Sequence, residues 1–127
     1  MKKATVLLAH GSSDPHWLEP FDQLKNSIAQ QLPAGTPLKL AYMELAEPML
    51  EDVVIELVKC GYEHVDVLPL FFAAGRHLRK DVPEMLDTVQ QTLQQQGFAS
   101  ELELHPPIGL EPEVASAISQ VVIRQLS

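Results

Sequence analysis

The sequence of 127 residues has a single cysteine, few aromatic residues and no long hydrophobic run. One cysteine, Cys60, excludes an internal disulfide and any zinc site built from several cysteines. No stretch approaches the ~20 consecutive apolar residues that a membrane-spanning helix needs, and the apolar stretch after Met1 is too short for a signal peptide. We therefore expect a cytoplasmic protein that has no membrane partner.

Positive charge is also scarce, because 9 Lys and Arg residues face 17 Asp and Glu residues, for a net charge of −8. This balance argues against nucleic acid as a partner. Arg76, Arg79 and Lys80 place three cations within five residues, which indicates either an anion-binding cluster or a solvated helix start. Positive charge is unfavourable near a helix N-terminus, so the cluster favours a counter-ion that a ligand supplies.

The hydrophobic residues form four strand-like runs that alternate with four helix-like segments. The runs at 4–9 and 65–72 are mostly apolar, as in strands buried on both faces, whereas those at 37–43 and 100–104 alternate. Helical periodicity follows each run. The last helix, from Pro112, is expected to bury Val114, Ala117, Ile118, Val121, Val122 and Leu126.

This alternation predicts a single α/β domain over residues 1–127 with a four-stranded parallel sheet. Wholly apolar strands belong in the middle of such a sheet and alternating strands at its edges, which gives the order 2-1-3-4. Right-handed crossovers then place helices on both faces, in a flavodoxin-like winding. Ligands of such sheets bind at the carboxyl ends of the strands, here between strands 1 and 3.

Three potential metal ligands follow adjacent strands at this edge. His10 follows strand 1, Glu44 follows strand 2 and His77 follows strand 3. Imidazole and carboxylate groups can hold divalent iron, cobalt, nickel or zinc while leaving coordination positions open. Their convergence favours a metal site, and the alternative is that both histidines are ordinary loop residues. His105, after strand 4, is a further candidate, whereas His64 lies at the opposite edge and is expected to have no such role.

The segment around His77 joins a strand, a small-residue loop at 73–75 and a predicted helix start. Asp81 and Glu84 have the spacing of a capping box, and Pro83 suits a first helical turn.

Four motifs in this order resemble those of the class II chelatases, and among them the sirohydrochlorin cobaltochelatase and ferrochelatase family. They are Leu7-Leu8-Ala9-His10-Gly11-Ser12, Met43-Glu44-Leu45-Ala46-Glu47-Pro48, Pro69-Leu70-Phe71-Phe72-Ala73-Ala74-Gly75-Arg76-His77 and Asp81-Val82-Pro83. The resemblance covers most of the chain.

The resemblance implies an enzyme that inserts cobalt, iron or nickel as the divalent ion into sirohydrochlorin, a tetrapyrrole bearing many carboxylates, in cobalamin or siroheme biosynthesis. It implies that His10, Glu44 and His77 are both the catalytic residues and the metal ligands. The metal is then a substrate, and no cofactor is permanently bound. Short members of this family work as homodimers, so a homodimer is expected.

One position departs from the family pattern, in which the first loop usually reads His-Gly-Ser-Arg. Ser13 stands in place of that Arg. We therefore expect substrate contacts from Ser12, Ser13, Arg76 and Arg79. One alternative is a non-catalytic tetrapyrrole or metal carrier that uses the same edge. Another is a flavodoxin-like nucleotide-binding module, although the sequence has neither a G-x-G-x-x-G motif nor a phosphate-loop lysine.

Overall fold

The computed structural model describes residues 2–127. Its elements, in chain order, are β1 (Lys3–Ala9), α1 (Pro15–Gln31), β2 (Leu38–Tyr42), α2 (Leu50–Lys59), β3 (His64–Pro69), a π-helical turn (His77–Asp81), α3 (Val82–Gln95), β4 (Glu101–Leu104), a 3-10 turn (Ile108–Leu110) and α4 (Pro112–Leu126). Among the described residues, no helix has the length and apolar character needed to cross a membrane.

The four strands form one parallel sheet in the order β2-β1-β3-β4, which confirms the predicted order. Leu7 of β1 pairs with Leu40 on one side and Leu68 on the other. The two central strands therefore end side by side, and the loops that follow them share one edge of the sheet.

The main core lies between one face of the sheet and the helices α2 and α3. Alternate residues of the central strands face these helices, since side chains of a strand alternate between its faces. The strand residues of this core are Ala4, Val6, Leu8, Ala41, Val65 and Val67. The apolar spacing of α2 and α3 is confirmed, because both helices bury their predicted stripe. Helix α1 packs along β2 and buries none of its residues fully.

The prediction that β3 is buried on both faces agrees with a strand that has no exposed residue, but only one of these faces is apolar throughout. Val65 and Val67 face the core, but His64 and Asp66 lie on the other face. The strand therefore alternates like an edge strand although it is central. This face of β3 tolerates polar side chains because they bond to one another and to β4, as described below.

The expectation that α4 buries an apolar stripe is also wrong. The helix forms as predicted from Pro112, but none of its residues is buried in the described chain. It packs mainly against the 3-10 turn that precedes it. The helical spacing of apolar residues is real, yet no element of residues 2–127 lies opposite that stripe. A periodic pattern shows which face is apolar and not what covers it.

Candidate active site

His10 leaves the central strand β1 at the carboxyl edge of the sheet, where its side chain is exposed. Its imidazole stacks on the ring of Phe71, with ring centroids 3.9 Å apart and planes 17° apart. Phe71 follows the neighbouring strand and is only 6% exposed. A buried aromatic ring therefore holds the imidazole in place at the point where β1 and β3 end.

The loops after β1 and β2 are in direct backbone contact. The amide of Glu44 donates a hydrogen bond to the carbonyl of His10 (3.1 Å), and the amide of Met43 donates to the carbonyl of Ala9 (2.9 Å). Gly11 has φ +94°, and a Cβ there would lie 1.8 Å from the carbonyl oxygen of Glu44. Only glycine fits this approach. The side chains of His10 and Glu44 consequently leave two backbones that touch.

Glu44 stands at the exposed start of a loop that closes on itself. The amide of Tyr42 donates to the carbonyl of Pro48 (2.9 Å), which ties the two ends of the loop together. Leu45 has φ +62°, an uncommon conformation for a residue other than glycine, and 68% of its surface is exposed. The loop thus presents the carboxylate of Glu44 and the apolar side chain of Leu45 at the edge.

His77 begins a π-helical turn that runs into α3. Its Nδ1 donates to Oδ2 of Asp81 at 2.7 Å, which leaves the lone pair of Nε2 free for a metal ion or a proton. The predicted capping box is wrong, because Asp81 has helical backbone angles and caps nothing with its side chain. The helix has already begun at His77, so the carboxylate of Asp81 is free to orient the imidazole four residues earlier. That i, i+4 spacing was the signal available in the sequence.

Glu44 and His77 line one cleft of about 220 Å³ between the loop after β2 and the starts of α2 and α3. Much of its wall is apolar and includes Met43, Met49 and Met85. His10 adjoins this cleft through its backbone contact with Glu44. Within residues 2–127, the donor atoms of these three ligand candidates do not gather within 4.8 Å of one another. The three side chains therefore lie at one edge of the sheet, but their donor atoms do not surround a common position.

The predicted substrate-binding residues occupy different parts of this edge. Arg76 precedes His77 directly, whereas Arg79 lines a neighbouring cleft together with His105. In the described chain, neither Arg has an acidic side chain within 4.0 Å, so both remain available to an anionic ligand. Ser12 accepts a hydrogen bond from the amide of Asp14 (3.0 Å), and Ser13 is exposed.

The sequence-based reasoning missed the exposed apolar side chains at this edge. Phe72 is 72% exposed directly beside the buried Phe71. Gly109 of the 3-10 turn packs against the backbone of Phe72, where a Cβ would lie 2.3 Å from the Cα of Phe72. An aromatic residue directly after a buried strand, followed by a small-residue loop, was the available signal. Phe72 and Leu45 each expose apolar surface at this edge.

The chain is similar to known proteins over nearly its whole length. The CbiX family model matches residues 4–125. A CbiX protein assigned to cobalamin (vitamin B12) biosynthesis, from Marinobacter aquaeolei, has a crystal structure that aligns with a TM-score of 0.80 and 41% identity over 98% of this chain and 97% of that one.

A longer relative and a curated relative extend the comparison. SirB from Bacillus subtilis, solved with Fe³⁺, aligns with a TM-score of 0.78 and 25% identity over 94% of this chain, which spans 46% of the SirB chain. The sirohydrochlorin cobaltochelatase of Saccharolobus solfataricus is 24% identical over 115 residues, covering 89% of this chain and 88% of its own.

Proposed function

The chain belongs to the CbiX family, and from this premise we propose that it is a chelatase that inserts a divalent metal ion into sirohydrochlorin. The observation that carries the proposal is the placement of His10, Glu44 and His77 at one sheet edge beside a partly apolar cleft. The names of the relatives support the substrate and the reaction class. We propose cobalt or ferrous iron as the ion, in cobalamin or siroheme biosynthesis. The cytoplasmic location remains a prediction.

The donor set suits an ion that has to be released. Two imidazoles and one carboxylate bind a first-row divalent ion and leave positions open for the pyrrole nitrogens. Because three donors leave coordination positions open, the ion can pass on to the macrocycle. Asp81 supports this role, because its hydrogen bond orients the ring of His77.

Proton transfer follows from the same groups. Insertion replaces the two N–H protons of the macrocycle by the ion, so two protons must be taken up. As the ion passes to the pyrrole nitrogens, Nε2 of His77 and the carboxylate of Glu44 regain their lone pairs. They are then free to accept these protons or to pass them to water.

The substrate would bind with its apolar ring against Phe72 and Leu45, which are exposed at this edge. Its carboxylates would meet Arg76 and Arg79, which have no acidic partner within 4.0 Å in the described chain. Local cations are needed because the net charge of −8 repels a polycarboxylate. Ser12 and Ser13 are further donors from the first loop.

The test of the proposal is multiple-turnover metal insertion, followed by the change in tetrapyrrole absorbance with protein at a small fraction of the substrate. We expect His10→Ala and His77→Ala each to lower turnover at least about 100-fold, because each removes a metal ligand. Stability should fall by less than about 1.5 kcal/mol, since both side chains are exposed. His16→Ala, an exposed histidine on α1, is the matched control.

Two outcomes would contradict the proposal. Normal turnover in both histidine variants would remove the site assignment. Release of only one equivalent of product by the unmodified protein would favour the alternative of a tetrapyrrole or metal carrier. Glu44→Gln, which keeps the shape but removes charge and basicity, should also be impaired.

We further propose that the active form is a homodimer in which a second copy covers α4. The cleft of about 220 Å³ is smaller than the roughly 300–1,000 Å³ of sites that enclose a small ligand. SirB, with about twice the length of this chain, has room for two such units. Helix α4 starts directly after the 3-10 turn that packs on Phe72, so a copy bound there would stand beside the functional edge.

The apolar stripe of α4 gives this association a test. Ile118, Val122 and Leu126 lie four residues apart and are 41%, 50% and 82% exposed. Val122→Glu should convert the dimer to a monomer in light scattering and raise KM for the macrocycle, because an unpaired charge cannot be buried cheaply. Gln120→Glu, on the same helix, is the control for added charge. A monomeric unmodified protein with full activity at working concentration would rule out the dimer.

A further inference from the structure

A second group of potential metal ligands lies on the sheet face opposite α2 and α3. Two adjacent parallel strands contribute to it, with His64 paired to Glu101 and Asp66 paired to Glu103. His105 extends the series, because its amide donates to the carbonyl of Val67 (2.9 Å) and so continues the ladder. Residues two apart share one face of a strand, which brings all the side chains together. We refer to His64, Asp66, Glu101, Glu103 and His105 as the sheet-face cluster.

The donor atoms of His64, Asp66 and Glu103 all lie within 4.8 Å of one another, as ligands of one ion do, and His105 contacts Asp66 beside this group. Oδ1 of Asp66 lies 3.0 Å from Nε2 of His64 and 2.9 Å from Nε2 of His105. Oε2 of Glu103 lies 3.5 Å and 3.9 Å from the same two nitrogens. In a tetrahedral site with bonds of about 2.0–2.1 Å, neighbouring donor atoms are about 3.3 Å apart. The observed separations bracket this value.

His64 has the surroundings of a metal-bound imidazole. Its side chain is only 10% exposed, and its Nδ1 lies 3.4 Å from Oε2 of Glu101. A carboxylate behind the ring keeps the proton on Nδ1 and turns the lone pair of Nε2 toward the ion, as in carboxylate–histidine–metal arrangements. The sequence reasoning assigned no role to His64, because its position at the start of β3 looked remote from the functional edge.

The charge of the sheet-face cluster also favours a cation. It holds three carboxylates and two imidazoles, and within residues 2–127 no Lys or Arg approaches these carboxylates within 4.0 Å. Asp66 is half-buried. Even with both imidazoles protonated, the three carboxylates leave the cluster with one net negative charge, which costs free energy in a partly buried place.

We propose that the sheet-face cluster binds one divalent transition-metal ion through Nε2 of His64, Oδ1 of Asp66 and Oε2 of Glu103, with His105 as a positioning residue that holds Asp66. Three nitrogen and oxygen donors with an open position suit Zn²⁺, Co²⁺ or Ni²⁺. The ion takes the place of the proton that His64 otherwise shares with Asp66. It joins β3 to the short edge strand β4, and its ligands all lie outside the cleft that contains Glu44 and His77.

The metal-binding experiment uses a protein that lacks both histidines of the carboxyl-edge site. Tag-free His10→Ala/His77→Ala protein is titrated with Co²⁺ alone, and bound ion is measured by equilibrium dialysis and by the visible absorption of four-coordinate Co²⁺. We expect one Co²⁺ per chain. Adding His105→Ala or Glu103→Gln to that background should weaken binding at least about tenfold, whereas adding His16→Ala should leave it unchanged.

The outcome can also overturn the proposal. No Co²⁺ bound by the His10→Ala/His77→Ala protein would exclude the site, and Co²⁺ bound equally by the His105→Ala and Glu103→Gln variants would place the ion elsewhere. Both positions are more exposed than His64, so these variants are expected to fold. Circular dichroism confirms folding, and Co²⁺ should raise the midpoint of thermal unfolding only while the cluster is intact, since an ion that binds the folded state stabilises it.

Discussion

Gly11→Ala tests the contact between the loops after β1 and β2, on which the relative placement of His10 and Glu44 depends. The added Cβ would lie 1.8 Å from the carbonyl oxygen of Glu44, so one backbone has to move away. The hydrogen bond from the amide of Glu44 to the carbonyl of His10 is then strained or lost. We expect both the stability of the protein and its metal insertion to fall.

A control variant separates the loss of stability into a contribution from the left-handed backbone and a contribution from overpacking. Gly97 has φ +90°, close to the φ +94° of Gly11, but a Cβ there meets nothing within 4 Å. Gly97→Ala should therefore cost only the left-handed backbone, about 1–2 kcal/mol. Gly11→Ala should cost this amount and a further ~1–3 kcal/mol for overpacking.

Urea unfolding measures the difference. With a slope of about 1.5 kcal/mol/M, an extra 2 kcal/mol or so lowers the midpoint of Gly11→Ala by more than about 1 M relative to Gly97→Ala. Metal insertion under native conditions should be reduced at least about tenfold in Gly11→Ala and unchanged in Gly97→Ala. Equal midpoints and equal turnover of the two variants would refute the contact and the site geometry that rests on it.

Two further variants test the groups around His77. Asp81→Asn should keep the helix but lower turnover about 10–100-fold, because the amide no longer fixes the proton on Nδ1; unchanged turnover would mean that Asp81 does not orient the ring. Arg76→Ala/Arg79→Ala should raise KM for the tetrapyrrole, with partial rescue by added salt, because mainly the repulsion by the net charge of −8 remains. An unchanged KM would place the carboxylates of the substrate elsewhere.

The strand order could be predicted from the sequence because burial and pattern agree in this sheet. β1 is nearly continuous in apolar residues and lies in the centre, and β4 alternates and lies at an edge. This order alone brings His10, Glu44 and His77 to one edge, since parallel strands all end on the same side. The prediction needed no side-chain detail.

The predictions failed where one sequence pattern is compatible with two different local structures. Asp81 and Glu84 have capping-box spacing, yet the helix begins earlier, at a π-helical turn that single-sequence reasoning did not anticipate. Asp66 interrupts an apolar run that His64 precedes, and the polar face that they form with β4 becomes visible only from the register between the strands. Strand patterns fix the alternation within one strand, whereas the pairing decides which side chains meet.

The exposure of α4 has a consequence for how the protein reaches its final structure. The helix has 15 residues and buries none of them within residues 2–127. Isolated helices of about 12–15 residues are marginal in water, so in a lone copy the amide hydrogens of α4 should exchange with solvent far faster than those of β1. If a second copy covers the apolar stripe, the folding of α4 is coupled to the association of the two chains. Dilution would then unwind this helix while the sheet stays folded.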